Sequence, residues 1–87
     1  MIETLAVFPG TFDPITLGHL DIIKRASRIF SKVLVAVAES PNKHTLFSLE
    51  ERISLVQKVC SEQKNVTAKA FKGMLVDFLK ENQADIL

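Results

Sequence analysis

The sequence predicts an α/β fold, in which parallel strands alternate with helices in a Rossmann-like sheet. Residues 4–8 (TLAVF) and 33–38 (VLVAVA) are nearly continuous apolar runs containing β-branched residues, a pattern typical of strands buried on both faces of a parallel sheet. Between these runs the apolar residues recur at the spacing of a helix. A strand, a crossover helix and a second strand form a βαβ unit, whose crossover is right-handed in nearly all proteins.

The first helix is indicated by an apolar stripe that faces away from most of its charged residues. The residues expected on the buried side are Leu20, Ile22, Ile23, Ala26, Ile29 and Phe30. Asp21, Lys24, Arg25 and Arg28 fall mostly on the other side of the helix. The sequence therefore predicts an amphipathic helix that packs one face on the sheet.

A second unit follows, and its helix is opened by Ser48 and Glu51 at the spacing of a capping box. The expected buried stripe of this helix is Leu49, Ile53, Val56, Val59 and Cys60. Residues 65–71 predict a third, weaker strand nearer the edge of the sheet. A short helix is expected after Gly73, and residues 85–87 look like the opening of a fourth strand that the sequence does not complete.

Length and charge limit what the chain can be. A chain of 87 residues holds one core, so residues 1–87 are interpreted as the N-terminal part of a single domain. The net charge of +1 provides no field that would attract a nucleic acid or a membrane surface, and neither is expected as a partner. No apolar run is long enough to span a membrane, and the single cysteine cannot form an internal disulfide. A cytoplasmic location is expected.

The stretch PGTFDPITLGH, residues 9–19, leaves the first predicted strand and enters the first predicted helix. Gly10 allows a sharp turn, and Thr16 is placed to cap the helix. Gly18 and His19 then lie in the first turn, where the backbone N–H groups have no partner within the helix. Such a helix start at the carboxyl end of a parallel strand binds anions, phosphate in particular.

His19 has two interpretations at this position. Its ring N–H could donate to a phosphate oxygen as negative charge develops in a transfer reaction. A lone histidine in the first turn of a helix is otherwise a solvated or capping residue. The combination of turn, cap, glycine and histidine after a buried strand favours the first interpretation.

Residues 16–19 (TLGH) resemble the T/H-x-G-H signature of the nucleotidyltransferase superfamily. Within it, the opening PGTFDPIT and the stretch SPNKHTLFSLEERISLV, residues 40–56, resemble the bacterial phosphopantetheine adenylyltransferase family. Nicotinate mononucleotide adenylyltransferases and cytidylyltransferases share the histidine signature. They usually have histidine where Thr16 stands and lack the second stretch. They are therefore alternatives that the sequence favours less.

The resemblance implies adenylyl transfer from ATP to 4′-phosphopantetheine, which gives dephospho-coenzyme A and pyrophosphate in coenzyme A biosynthesis. It also implies Mg²⁺ together with ATP, dephospho-coenzyme A or coenzyme A as product-type ligands, and a homohexamer. The nucleophile in this reaction is the substrate's own phosphate, so the protein needs to align the reactants and stabilise charge.

The resemblance also assigns residues. Thr11 and Phe12 are expected to contact ATP, with Thr11 also reaching the phosphate of phosphopantetheine, and His19 to stabilise the transition state at the α-phosphate. Lys43 is expected to neutralise the substrate phosphate, although without the resemblance its position in a loop would indicate a solvated lysine. Leu75 is expected to line the pantetheine arm, although by itself it reads as helix core. No residue is assigned to the metal.

The family resembled here continues beyond residue 87 with arginines and a serine-rich loop that complete its nucleotide site. We therefore expect residues 1–87 alone to be a poor catalyst, and a non-catalytic nucleotide-binding or assembly fragment is the alternative from another functional class. Glu50 and Arg52 are interpreted as a helix cap and a solvated charge, and Cys60 as a small core residue.

Overall fold

A computed structural model describes residues 4–39, 45–71 and 85–86 of the chain. The elements are β1 (Leu5–Gly10), α1 (Leu17–Ile29), β2 (Lys32–Ala38), α2 (Leu49–Val59), β3 (Val66–Phe71) and β4 (Asp85–Ile86). All paired strands run parallel, so the predicted α/β class with a parallel sheet is confirmed. The short helix expected after Gly73 lies outside the described residues.

The strand order in the sheet is β3-β2-β1-β4. The chain therefore runs outward from β1 to β3 and then returns to the other side of β1, where Ala6 and Val7 pair with β4. β3 lies at one edge of the described sheet, as its weaker pattern predicted. Ligands of such sheets bind beyond the carboxyl ends of the strands at the point where the strand order reverses, which is here next to β1.

β1 is longer than predicted. Pro9 and Gly10, expected to form a turn, continue the strand opposite Ala36 and Val37 of β2. Among the described residues β4 pairs only with the earlier part of β1, so the last residues of β1 pair on one side. A proline is tolerated at residue 9 because an N–H there would point away from β2, to the side on which the last residues of β1 have no described partner.

The buried face of α1 is narrower than predicted. Ile23 and Ala26 are buried, but Ile22 is 45% exposed and Ile29 75% exposed. At about 100° per residue, both exposed isoleucines lie on the same flank of the helix, roughly a quarter to a third of a turn from Ile23. Val59, expected in the buried stripe of α2, is also exposed at 39% because it stands at the last helical position.

The main core lies between one face of the sheet and the helices. Its buried members are Phe12, Ile23, Val35, Val37, Val56, Cys60 and Ala68. A second cluster of Val7, Leu34 and Ala36 is buried on the other face of the sheet. Because Phe12 belongs to the main core, the loop that follows β1 is anchored in the core by this side chain.

No helix in the described part of the chain is long and apolar enough to cross a membrane.

Candidate functional site

The loop of residues 11–16 connects the carboxyl end of β1 to α1, at the rim where the strand order reverses. Its backbone is irregular at two points. The Asp13–Pro14 peptide bond is cis, and Phe12 has a φ of 51°, in the left-handed region that non-glycine residues seldom adopt. The ring of Phe12 is 3% exposed, so packing in the core compensates for this conformation.

Gly10 is required by the position of the Phe12 ring. A Cβ on residue 10 would lie 2.9 Å from Cε2 and 3.2 Å from Cζ of that ring, closer than van der Waals contact allows. The close approach lets the Phe12 ring fold back over the end of β1. Phe12 was predicted to contact ATP, and its burial leaves the backbone as the part that can make this contact.

Thr16 and His19 cap α1 reciprocally. The side-chain hydroxyl of Thr16 accepts from the backbone N–H of His19 at 3.2 Å, and Nδ1 of His19 accepts from the backbone N–H of Thr16 at 3.0 Å. This is the geometry of a capping box with histidine in the place of the usual glutamate. Because Nδ1 is an acceptor, the neutral ring carries its proton on Nε2.

The ring of His19 is half-buried and is held by two aromatic side chains. Its centroid lies 4.9 Å from that of Phe12 and 5.9 Å from that of Phe8, both in edge-to-face geometry. Nε2 has no hydrogen-bond partner in the described part of the chain, and it is not among the buried unpartnered atoms there. The imidazole is therefore fixed at one nitrogen and free to donate at the other.

The first turn of α1 provides backbone donors beside this ring. The first intrahelical bond runs from the N–H of Leu20 to the carbonyl of Thr16, so the N–H groups of Leu17 and Gly18 have no partner within the helix. The first turn holds no acidic side chain. A Cβ on Gly18 would meet only Thr16 Oγ1, at 3.6 Å, so packing does not require this glycine. Its missing side chain leaves room for an anion.

Arg52 was interpreted as a solvated charge, and this was wrong. The residue is 3% exposed, and its guanidinium donates to three backbone carbonyls: Thr11 at 2.8 Å, Ala38 at 2.9 Å and Phe47 at 3.3 Å. The guanidinium carries several donors in a rigid plane, so one side chain can satisfy three acceptors. Arg52 thus joins the loop after β1, the end of β2 and the segment before α2.

Asp13 makes a second connection between the same segments. Its carboxylate accepts from the backbone N–H groups of Leu46 at 2.6 Å and Phe47 at 2.9 Å. These donors lie more than 30 residues away in the chain, so the local sequence around Asp13 gives no signal for them. A signal for Arg52 was available, since three and four residues separate it from Leu49 and Val56 in the apolar stripe of α2.

Two predicted site residues are not described. Lys43 and Leu75 lie outside the described residues, so their roles stay predictions. Thr11 stands at the start of the loop and is half-buried, with its carbonyl held by Arg52. Within the described ranges no group of three or more His, Cys, Asp or Glu side chains is arranged to hold a metal ion.

Cys60 is buried in the core, as predicted. Burial raises the pKa of its thiol above the ordinary value of 9.0, and the nearby charge of Lys24 opposes this rise. The thiol is therefore held in its neutral form, which is inert as a nucleophile.

Comparison with known families identifies this arrangement. The cytidylyltransferase-like family model matches residues 7–87, from β1 onwards. The chain belongs to the cytidylyltransferase-like family. Its curated relatives include proteins named phosphopantetheine adenylyltransferase, as the resemblance in sequence predicted.

Two such relatives show how far the similarity extends. The protein from Tolumonas auensis is 58% identical over 81 residues, which are 93% of this chain and 49% of the relative. The protein from Clostridium novyi is 53% identical over 83 residues, which are 95% of this chain and 52% of the relative. The chain thus spans about half the length of the curated relatives it matches.

Solved structures of this fold are also similar. A lipopolysaccharide core biosynthesis protein from Thermoplasma volcanium superposes with a TM-score of 0.73 at 20% identity, covering 95% of this chain and 71% of that one. The NadR protein in complex with NAD and AMP-PNP superposes with a TM-score of 0.71 at 16% identity, covering 95% of this chain and 28% of that one. These likenesses confirm the Rossmann-like fold.

Proposed function

We propose that this chain forms the nucleotide-binding half of a phosphopantetheine adenylyltransferase. The observation that carries the proposal is the identity of 53% to 59% with relatives of that name, over 93% to 95% of the chain. The geometry around His19 supports it, because a fixed imidazole stands at the rim of the sheet beside two backbone N–H groups that have no partner within α1. The substrates are then ATP and 4′-phosphopantetheine, and the products are dephospho-coenzyme A and pyrophosphate.

The reaction is a direct substitution at the α-phosphorus of ATP. A phosphate oxygen of 4′-phosphopantetheine forms a new bond to this phosphorus. The bond from the phosphorus to the oxygen that bridges to the β-phosphate breaks, and the pyrophosphate leaves with the electron pair. The chemistry needs no nucleophile from the protein, so catalysis depends on alignment and on stabilising the charge that builds on the α-phosphate oxygens.

In this reaction His19 donates its Nε2 proton in a hydrogen bond to an α-phosphate oxygen. The donor is oriented by the bond that Nδ1 accepts from the backbone of Thr16. The N–H groups of Leu17 and Gly18 bind phosphate oxygens at the positive end of the α1 dipole. Thr11 contributes its hydroxyl and Phe12 its backbone to the same pocket.

We infer that Mg²⁺ enters with ATP as part of the substrate. None of the steps above depends on a protein-bound metal. The remaining assignments follow from the same proposal: Lys43 neutralises the substrate phosphate, Leu75 lines the pantetheine arm, coenzyme A acts as a product-type ligand, and the protein assembles as a homohexamer in the cytoplasm.

The test is a pyrophosphate-release assay with ATP and 4′-phosphopantetheine. It uses two proteins: the 87-residue chain, and a hybrid in which this chain is followed by the remaining half of the Tolumonas auensis relative. The complete relative is the positive control. The proposal predicts that the hybrid turns over at a rate in the range of about 1–1,000 per second that is usual for enzymes, and that the chain alone is far slower.

Substrate replacement separates the alternatives. A folded hybrid that releases pyrophosphate with nicotinate mononucleotide, or from CTP, but not with 4′-phosphopantetheine would assign the chain to another branch of the family. A chain that binds ATP in calorimetry while the folded hybrid transfers nothing would be a nucleotide-binding module. Either result contradicts the proposal.

A further inference from the structure

We propose that Arg52 and Asp13 are positioning residues that hold the phosphate-binding loop, residues 11–16, in the geometry required for anion binding. This inference rests on the proposed function of the loop. Neither side chain is assigned to bind substrate; both act through the backbone that they hold.

The two side chains have opposite charges and link the loop to the segment before α2 through different backbone groups. Arg52 donates to the carbonyl of Thr11 at 2.8 Å, and Asp13 accepts from the N–H groups of Leu46 and Phe47 at 2.6 and 2.9 Å. The carbonyl of Phe47 also accepts from Nε of Arg52 at 3.3 Å, so the two backbone polar groups of this residue are held one by each side chain. A displacement of the segment before α2 would therefore move the loop after β1 with it.

The loop needs these contacts because its own conformation is not self-sustaining. Phe12 has a φ of 51°, and residues 11–15 belong to neither a helix nor a strand. A residue in this region of φ keeps its conformation only where the surroundings impose it. The carbonyl next to it, that of Thr11, is the one that Arg52 holds.

Arg52 acts on the loop through its hydrogen bonds. Within the described part of the chain no carboxylate forms an ion pair with its guanidinium, and its three acceptors are backbone carbonyls. The carboxylate of Asp13 binds the same residue, Phe47, and opposes the positive potential of the guanidinium at the loop. The proposal therefore rests on these contacts and not on the charge of Arg52.

A lysine at residue 52 keeps the charge but cannot donate to three carbonyls in one plane. An asparagine at residue 13 keeps the shape but has one acceptor oxygen where the carboxylate has two, so it loses one of the two bonds and the charge that strengthens the other. The controls are Arg25→Lys and Asp21→Asn, the same changes in an exposed ion pair on α1 whose atoms are 3.2 Å apart. Exposed pairs of this kind contribute little to stability.

The first measurement is nuclear magnetic resonance of the 87-residue chain, below the unfolding temperature of each variant. We expect Arg52→Lys and Asp13→Asn to shift the amide signals of Gly18 and His19 and to speed amide exchange at Phe47 by about tenfold or more. The control variants should leave these signals unchanged. In the unmodified chain, the Nε–H of Arg52 should exchange slowly, because it is buried and donates to Phe47.

The second measurement is the affinity for inorganic pyrophosphate. We expect a dissociation constant about tenfold higher in Arg52→Lys and in Asp13→Asn than in their controls. In the hybrid with the second half of the relative, kcat should fall about tenfold or more, while the KM for ATP changes less, because misplacement of a bound phosphate affects the transition state most.

The outcomes separate the two proposals. If the unmodified protein neither binds pyrophosphate nor transfers an adenylyl group, the proposed function fails, and the amide signals still decide whether the loop is held. If Gly18 and His19 keep their signals in folded variants, or if the Nε–H of Arg52 exchanges freely in the unmodified chain, the positioning role is refuted. Where a variant does not fold, the exchange of this Nε–H decides.

Discussion

Replacing Gly10 by alanine tests whether the end of β1 and the ring of Phe12 are packed as closely as described. The added Cβ would lie 2.9 Å from Cε2 and 3.2 Å from Cζ of the ring. The ring is buried in the main core, so it cannot move away into solvent. Gly10 lies in a strand and its φ is compatible with alanine, so the expected cost comes from the clash alone.

The magnitude follows from two opposing contributions. Inserting a methyl group into a packed core costs about 1–3 kcal/mol. Exchanging glycine for alanine within a strand regains about 0.5–1 kcal/mol. With the middle of each range, the net loss is about 1 kcal/mol, which lowers the melting temperature of a domain of this size by roughly 4–8 °C.

The matched control is Gly18→Ala, the same chemical change in the first turn of α1. Its Cβ would meet only Thr16 Oγ1 at 3.6 Å, an ordinary contact. Glycine is a poor helix former, so this variant should be as stable as the unmodified chain or more stable by about 0.5–1 kcal/mol. The same methyl group occupies the space assigned to a phosphate, and pyrophosphate should bind more weakly.

The assay is urea unfolding followed by circular dichroism, with a double-mutant cycle that adds Phe12→Leu. A leucine lacks the ring edge that Gly10 faces, so Gly10→Ala should cost less than about 0.5 kcal/mol in the Phe12→Leu background. An unchanged urea midpoint in Gly10→Ala would refute the described packing. So would an equal cost in both backgrounds, because the clash would then involve another group.

Three further predictions concern residues outside this contact. In the hybrid, His19→Asn keeps an oxygen that can cap α1 but loses the Nε2 donor, so kcat should fall by about 10²-fold or more with little loss of stability. His19→Ala should lose both kcat and stability. Equal stability of the two variants would contradict the cap. The side-chain amide of Asn65 donates to the carbonyls of Ser27 at 2.8 Å and Phe30 at 3.1 Å. Asn65→Asp removes this donor and should lower the free energy of unfolding, measured by urea titration, by about 1–3 kcal/mol. An unchanged free energy would mean that these bonds do not hold the end of α1. The pKa of the Cys60 thiol is raised in the folded state, so the thiol's contribution to stability is complete at pH values below its ordinary pKa of 9.0 and is lost as the pH rises through the folded-state pKa. Above pH 9.0 the free energy of unfolding should therefore decline more steeply with pH than it does in Cys60→Ala. The same pH dependence in both proteins would contradict a buried thiol.

The order and type of the elements were predictable because each depends on local signals. Apolar runs gave β1 and β2, and two capping sequences gave the starts of α1 and α2, where Thr16 and Ser48 cap as expected. Thr16 to His19 were placed correctly for the same reason, since a cap and a first turn are fixed within four residues.

The missed features depend on distant partners. The burial of Arg52 is decided by three carbonyls that lie in other segments of the chain, and the carboxylate of Asp13 finds its donors more than 30 residues away. The left-handed φ of Phe12 has no signal in sequence, because it results from packing of the ring over Gly10. Local patterns therefore placed the cap and the first turn of α1, but not the contacts that hold the loop before it.

The position of β4 has a consequence for the order in which the molecule assembles. Ala6 of β1 pairs with Val33 of β2 and with Asp85 of β4, and Asp85 is about three times as far from Ala6 along the chain as Val33 is. Bringing β4 into place therefore costs roughly 1 kcal/mol more in loop-closure entropy than pairing β1 with β2. During synthesis β1 and β2 can associate before β4 has left the ribosome. Among the described strands, β4 is then the last to join the sheet.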